Sequence, residues 1–262
     1  MKIKEITNYL EEIAPLSYQE KYDNCGLIVG DKDADLKAVL ITLDCTEAIV
    51  DEAIDTGCNL IVAHHPIIFT GLKKLNGSNY IERTVIRAIK NNIAIYAIHT
   101  NLDNLHNGVS AKIADRLGLI NCKILAPKYE ECNSNVGSGI VGELAESVES
   151  KTFMERLKTT MKTDCVRYTS LVKSTIRKVA VCGGSGSFLL SNVKTLGVDI
   201  YISADFKYHD FFDADTNFII ADIGHYESEQ FTKDLIYDFL TKNFAKFAVR
   251  LSKVNTNPIK YL

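Results

Sequence analysis

Short, unbroken apolar runs alternate with amphipathic segments through the first half of the chain. The apolar runs have the length of buried strands and lie at 38–43, 60–63 and 93–98. The segments that follow them place apolar residues at helical spacing and lie at 46–56, 80–91 and 109–117. Strands without polar alternation are typical of parallel sheets whose two faces are covered by helices. The pattern therefore predicts an α/β fold with a mostly parallel sheet in this half.

The second half of the chain repeats this alternation. Its main predicted strands lie at 179–182, 199–202 and 218–223, and its helices at 188–196, 206–212 and 228–243. Two further predicted strands, 139–144 and 165–171, flank a helix at 150–161, so we expect a mixed sheet here. The repetition predicts an internal duplication into two similar α/β lobes, 1–127 and 128–262. A polar, glycine-containing segment at 128–139 is the predicted linker.

Composition and charge narrow the ligand classes. The chain has 262 residues, of which 46% are hydrophobic and 24% charged, as in an ordinary globular protein. Its formal charge is −3 and it has no long basic run, so nucleic acid is not expected as the main ligand. A single nucleotide stays open as a small-molecule substrate. No apolar stretch is long enough to span a membrane and the amphipathic N-terminus lacks a signal-peptide core, which predicts a cytoplasmic protein.

The cysteines do not form a recognisable framework. There are seven of them, and no two stand in a C-x-x-C pair, so disulfide-scaffold and zinc-finger readings both fail. Buried, reduced thiols are the expectation for a cytosolic protein. The seven are Cys25, Cys45, Cys58, Cys122, Cys132, Cys165 and Cys182.

Histidines gather directly after predicted strands. His64 and His65 end one apolar run, His99 ends the next in sequence, and His225 ends a third. Ligands of open parallel sheets bind beyond the carboxyl ends of the strands, so this edge is the candidate site. One histidine at such a place is more often a polar cap than a ligand, but two adjacent histidines change the balance.

The spacing of these residues favours two metal ions over one. Successive side chains on a strand diverge, so one ion would struggle to bind both His64 and His65, whereas two ions could take one each. His225 and Glu229 are four positions apart and share a helix face, which favours Glu229 over Glu227 as a ligand. Imidazole and carboxylate donors suit Zn, Mn, Fe, Co or Ni. Spacing alone leaves a metal site and a structural role equally open.

Three segments carry a resemblance to a known family. AHHP at 63–66, HTNLD at 99–103 and GHYESE at 224–229 resemble the signatures of the dinuclear-metal-centre hexameric proteins, the GTP cyclohydrolase 1 type 2 homologues. YDNCGLIVG, CGGSG and ADFKYHD, which begin at positions 22, 182 and 204, are also similar to that family. The segments occur in the same order over essentially the whole chain.

The resemblance implies a duplicated α/β protomer in a toroidal homohexamer, with two divalent metal ions in each protomer. It implies His64, His65, Asp103, His225 and Glu229 as the ligands, with Glu229 bridging the ions. His99 would lie in the same site, as a ligand or as a residue next to the ligands. Many relatives carry an inserted domain in mid-chain for which this chain has no room, so a function that depends on the insert is in doubt.

A dinuclear centre predicts a hydrolase. Two metals can lower the pKa of a bridging water and stabilise the oxygen that gains negative charge, and the family resemblance suggests opening of the imidazole ring of GTP. His99 and His209 are candidate catalytic acids. The GGSGS segment at 183–187 could hold a phosphate on the amides of Gly183, Gly184, Ser185 and Gly186, although a plain tight turn fits it equally well.

Three other readings compete with a dinuclear hydrolase. A ring-shaped metal-binding or regulatory scaffold would bind the same metals without turnover. A mononuclear metallopeptidase is disfavoured because the chain lacks an H-E-x-x-H motif. Catalysis by Cys182 is disfavoured because nothing in the sequence around it would activate a thiol.

Overall fold

The computed structural model describes residues 1–128, 135–245 and 247–262. The helices are α1 (Ile3–Ile13), α2 (Glu47–Asp55), α3 (Tyr80–Lys90), α4 (Thr100–Asp103), α5 (Val109–Leu117), α6 (Ser150–Met161), α7 (Leu190–Leu196), α8 (His225–Glu229) and α9 (Thr232–Asn243). The strands are β1 (Gly26–Val29), β2 (Val39–Thr42), β3 (Leu60–Ala63), β4 (Ala94–Ala97), β5 (Leu119–Pro127), β6 (Gly137–Glu149), β7 (Arg167–Tyr168), β8 (Thr175–Ser185), β9 (Ile200–Ala204), β10 (Ile219–Asp222) and β11 (Val249–Leu251). Each helix in these ranges is too short or too polar to cross a bilayer.

The chain folds into two compact units. The first comprises Met1–Leu102 and Thr232–Pro258, and the second comprises Asp103–Phe231 and Ile259–Leu262. This division differs from the boundary at 127/128 that the sequence suggests. The difference has two causes: β11, near the end of the chain, pairs in parallel with β2 near its beginning, and β5, which precedes position 128, pairs with β6 in the second sheet. Pairing between strands so distant in sequence leaves no signal in local periodicity.

The predicted linker lies inside the second unit. Residues 129–134 of it, with Cys132, fall outside the described residues, and Gly137 onwards belongs to β6. The six described cysteines are free thiols.

The first unit contains a largely parallel five-stranded sheet of order β1–β4–β3–β2–β11. β1 runs antiparallel to its neighbour β4, and the pairings of β4 with β3, of β3 with β2 and of β2 with β11 are parallel. The three central strands are buried along their whole length, which is why their sequences are uniformly apolar. The first of the two predicted sheets is therefore confirmed, and its strand ends carry His64, His65 and His99.

The second unit contains a mixed six-stranded sheet of order β5–β6–β8–β9–β10–β7. β8, β9 and β10 are parallel, and β5, β6 and β7 join the sheet through antiparallel pairings. The mixed sheet predicted for the second half is confirmed. Like β2, β3 and β4, the three parallel strands follow one another in sequence with helical connections, the arrangement that a duplication would produce.

Several predicted elements differ from the structure. The strand expected at 165–171 is reduced to β7, and the helix expected at 188–196 begins with a 3-10 turn at Ser187–Leu189. The long helix expected at 228–243 is two helices, α8 and α9, separated at Gln230 and Phe231. The chain passes from the second unit to the first at this point, and Phe231 is buried in the core of the second unit. The helix expected at 206–212 is a 3-10 segment, Tyr208–Ala214.

Gly30, just after β1, supplies a test of how closely the first sheet packs. Its φ is +106°, and a Cβ added there would lie 2.7 Å from the Cα of Ala94 in β4. We expect Gly30→Ala to lower the free energy of unfolding by about 3 kcal/mol, from backbone strain and crowding together. Urea unfolding measures this change. Gly57→Ala is the control, because Gly57 also has a positive φ but open space around it, and its cost should be about 1 kcal/mol.

Candidate metal centre

Backbone hydrogen bonds between strands fix the positions of the histidines in the first unit. His64 and His65 follow β3, and their amides donate to the carbonyls of Thr42 and Leu43, so the pairing with β2 continues past the last residue of β3. His99 follows β4, the neighbour of β3 on its other side. The three histidines therefore leave adjacent parallel strands at the same sheet edge. Each places one ring nitrogen within 4.8 Å of a ring nitrogen of the other two, a group that could hold a metal ion.

The three imidazoles are oriented in the same way. The Nδ1 atom lies 2.8 Å from the carbonyl oxygen of Ile98 in His64 and 2.8 Å from Asp44 Oδ1 in His65. In His99 it lies 2.9 Å from Asp23 Oδ1. A carbonyl or an ionised carboxylate can only accept, so Nδ1 carries the hydrogen in each ring. The lone pair of the neutral imidazole is then on Nε2, the arrangement that histidine ligands of metals show.

Asp23 is a strongly anchored carboxylate. Its side chain is fully buried, and besides His99 it accepts hydrogen bonds from the amide and the hydroxyl of Thr100 and from the amide of Asn24. Burial would raise the pKa of Asp23, but the hydrogen bond and charge of His99 and the bond from Thr100 hold it well below its usual range. Asp23 therefore places a negative charge next to Nδ1 of His99.

The second unit places His225 and Glu229 on one face of α8. His225 Nε2 lies 3.0 Å from Glu229 Oε2, and His225 Nδ1 lies 2.7 Å from Asp205 Oδ2. Burial alone would lower the pKa of His225, but the Glu229 and Asp205 carboxylates outweigh it and raise that pKa to about 11. In the metal-free protein the imidazole is thus a cation between two anions. A metal ion on Nε2 would replace one proton and meet the same negative surroundings.

Asp103 lies close to Glu229. The two offer carboxylate oxygens within 4.8 Å of one another, and the Glu229 side chain is only 3% exposed. Two carboxylates this close, one of them buried, need positive charge near them. A divalent cation would supply that charge, and the residue types fit such an ion.

Glu227 has different surroundings from Glu229 although it too is buried. Its Oε2 atom would lie 2.3 Å from a Cβ built on Gly224, so the carboxylate folds back over the start of α8. Burial raises the pKa of the Tyr261 phenol, and the charge of Glu227 raises it further. The geometry therefore pairs His225 with Glu229 and separates Glu227 from that pair.

The structure does not support the predicted phosphate loop. Gly183, Gly184 and Ser185 are part of β8, not of a loop between a strand and a helix. The Gly183 and Gly184 amides donate to the hydroxyls of Ser110 and Ser228, and the Gly186 amide donates to the Ala204 carbonyl. Because these glycines have no side chains, neighbouring residues can pack closely against their backbone.

Gly184 shows this close packing most clearly. Its φ is +62°, and a Cβ added to it would lie 2.3 Å from Glu229 Oε1. A side chain there would displace the carboxylate. The glycine at position 184 is therefore explained by the contact of β8 with Glu229, and a phosphate-binding role is not needed to explain it.

His209 lies outside the groups of metal-binding geometry found among the described residues. It is an exposed residue of the 3-10 segment, with its ring 5.2 Å from Tyr208 and 6.2 Å from Phe212. Those two aromatic residues line a cleft of about 680 Å³ in the second unit. His209 is therefore not grouped with the candidate ligands, and its catalytic role stays a prediction.

Cys182 is not an activated thiol. Burial raises its pKa to about 12, with a further contribution from the charges of Asp103 and Glu229. A thiol with so high a pKa is protonated at neutral pH, so nucleophilic catalysis by Cys182 is disfavoured here as it was by the sequence.

Sequence reasoning missed the aspartates that orient the histidines: Asp23, Asp44 and Asp205. Two of them could have been found, because Asp44 and Asp205 closely follow β2 and β9, as the histidines follow their own strands. The strand-end rule that selected His64, His65 and His225 applies equally to them. Asp23 lies in an irregular segment before β1 and has no such signal.

Comparison with known proteins agrees with the resemblance seen in the motifs. A "GTP cyclohydrolase 1 type 2 homolog" of Clostridium acetobutylicum is 36% identical over 230 residues, which cover 87% of this chain and 85% of the relative. One from Campylobacter jejuni is 32% identical and covers both chains completely. One from Staphylococcus epidermidis aligns over 367 positions, more than this chain contains, so that relative has residues that this chain lacks.

Solved structures show the same fold. Staphylococcus aureus protein SA1388 superposes with a TM-score of 0.90 at 28% identity, covering 100% of this chain and 99% of that one. A Bacillus cereus protein related to NIF3 gives a TM-score of 0.90 at 25% identity, with the same coverage. Residues 1–258 match the family described as Duf34/NIF3 (NGG1p interacting factor 3). The chain belongs to the Duf34/NIF3 family.

Proposed function

We propose that this protein is a hydrolase that depends on two divalent metal ions bound by His64, His65, Asp103, His225 and Glu229. The observation that carries the proposal is the orientation of the histidines. Each of His64, His65 and His225 has its Nδ1 atom held by a carbonyl or carboxylate oxygen. A histidine that only caps a strand can use a ring nitrogen as donor or as acceptor. A histidine that binds a metal through Nε2 needs Nδ1 to carry the hydrogen and donate it to an acceptor.

The donor set fits ions such as Zn, Mn, Fe, Co or Ni, because it combines imidazole nitrogens with carboxylate oxygens and contains no thiolate. Glu229 would be the carboxylate shared by the two ions, since it lies close to both His225 and Asp103. One histidine of the 64/65 pair would bind each ion. Bound metals would supply Lewis acidity and a water of lowered pKa.

His99 is the proposed catalytic acid or base. Its ring lies 5.3 Å from the rings of both His64 and His65, measured between centroids. The buried carboxylate of Asp23 holds its Nδ1 atom, which leaves Nε2 to give or take a proton. Asp23 would keep the His99 ring oriented while a proton moves at Nε2.

A purine nucleotide is the substrate class to test first. The support for it is the name shared by the relatives, GTP cyclohydrolase 1 type 2 homolog. The alternative is a metal-binding scaffold without turnover, which the same ligand geometry would also serve.

A homohexamer is the proposed assembly, following the family resemblance. Several large aromatic side chains of the second unit are exposed in the single chain, including Tyr168, Tyr208 and Phe212. Exposed apolar patches of this kind are typical of protein interfaces.

We expect the native protein to bind about two divalent metal ions per chain. The Glu229→Gln variant should lose at least one of them. Glu227→Gln is the matched control and should keep both, because its carboxylate lies over Gly224 instead of beside His225. Elemental analysis of dialysed protein gives the stoichiometry. Equal losses in the two variants would show that the ligand assignment on α8 is wrong.

Turnover tests the enzymatic part of the proposal. Metal-loaded protein should release product from GTP or from another member of a panel of nucleotides and phosphoesters. Asp103→Asn should reduce that rate by about 100-fold or more while the near-isosteric side chain keeps the fold. A rate that survives removal of the metals would contradict the mechanism. Metal binding without turnover of any substrate would favour the scaffold.

A further inference from the structure

Asp44 joins two groups that are far apart in sequence. Its Oδ1 atom accepts from His65 Nδ1 at 2.8 Å, and its Oδ2 atom accepts from the hydroxyl of Thr256 at 2.6 Å. Both oxygens of the carboxylate are therefore used, one by the histidine and one by the C-terminal part of the first unit. An aspartate carboxylate rotates over a broad range of χ2 unless it is held. The bond from Thr256 restricts this rotation and keeps Oδ1 directed at His65.

Thr256 is itself fixed by contacts within the first unit. The Ser252 amide donates to the Ile41 carbonyl of β2 at 2.8 Å, directly after β11. Glu52 on α2 accepts from the Ser252 hydroxyl and from the Lys253 amide. These bonds anchor the segment that leads to Thr256 against the strand from which Asp44 follows.

The Nδ1 atom of His64 is held by a backbone group. It donates to the backbone carbonyl of Ile98, which belongs to the strand edge itself. The orientation of His64 therefore depends on the sheet, whereas that of His65 depends on Asp44 and Thr256. The two adjacent histidines differ in what keeps them in place.

We propose that Asp44, held by Thr256, is a positioning residue that fixes His65 in the orientation and tautomer of a metal ligand. The affinity for the metal ion on His65 then depends on the C-terminal segment 252–256, and the affinity for the ion on His64 does not. The inference rests on the proposed metal-binding function. Loss of a partner that orients a histidine ligand typically weakens metal binding about 10- to 100-fold.

The test compares Asp44→Ala, Asp44→Asn and Thr256→Val with the native protein. The control is Asp51→Ala, which removes a carboxylate of α2 that pairs with Arg87 on the protein surface. Two quantities are measured. Nitrogen-15 NMR of the histidine rings in the metal-free protein reports which nitrogen of His65 carries the hydrogen. Titration with Zn²⁺ against a chromophoric chelator reports the affinity of each metal equivalent.

Asp44→Ala should remove the preference for hydrogen on Nδ1 of His65 and weaken one Zn²⁺ equivalent about 10- to 100-fold, with the other unchanged. Thr256→Val should act in the same direction to a smaller extent. Asp44→Asn should partly rescue the tautomer, because its amide oxygen can still accept from Nδ1. The control should match the native protein in both measurements.

An unchanged His65 tautomer in folded Asp44→Ala protein would overturn the inference, whether or not the protein binds metal. Equal weakening of both Zn²⁺ equivalents would also overturn it, since His64 does not depend on Asp44. If native protein binds no metal at all, the proposed function fails instead. The NMR measurement still decides, in that case, whether Asp44 and Thr256 orient His65.

Discussion

The proposed metal binding depends on one constraint: a neutral histidine offers the lone pair of Nε2 to a metal only when its hydrogen is on Nδ1. Four histidines satisfy it here, His64, His65, His99 and His225, and each does so with an oxygen that can only accept. The acceptors come from a strand-end carbonyl and from aspartates near or before strand ends. Strand pairing therefore positions most of the candidate ligands and of the groups that orient them, because most of them directly follow paired strands, whereas Asp23 lies in an irregular segment before β1.

Charge balance explains how the acidic residues of the second unit can lie close together in a folded protein. Glu229 is buried, Asp103 lies beside it, and Asp205 stands behind His225, so negative charge predominates in this part of the second unit. In the metal-free protein the protonated His225 offsets part of it. Divalent cations would offset more, which links metal binding to the stability of the fold. Gly184 lets β8 approach the Glu229 carboxylate closely enough to enclose it.

Much of this could be predicted from the sequence, and the failures have physical causes. Buried parallel strands are almost entirely apolar, so unbroken apolar runs are enough to predict β2, β3 and β4. The histidines are noticeable because they directly follow such runs. The division into units could not be found, because it depends on which strands pair: β11 pairs with β2 across most of the chain, and β5 pairs with β6 of the second sheet. From local sequence, the segment 183–186 fits a phosphate loop and a tight turn equally well, because glycine permits an open turn and a close approach alike. Packing against Glu229, which local sequence does not show, decides between them.

The most direct test of the account is anomalous X-ray diffraction from crystals of the protein loaded with Zn²⁺. We expect two peaks, with the Nε2 atoms of His64, His65 and His225 as ligands at about 2.0–2.1 Å, while each Nδ1 atom keeps its oxygen acceptor. Ligation through Nδ1 would contradict the central claim, because the acceptors could not then orient the ligands. The absence of any peak near these histidines would contradict the metal centre itself.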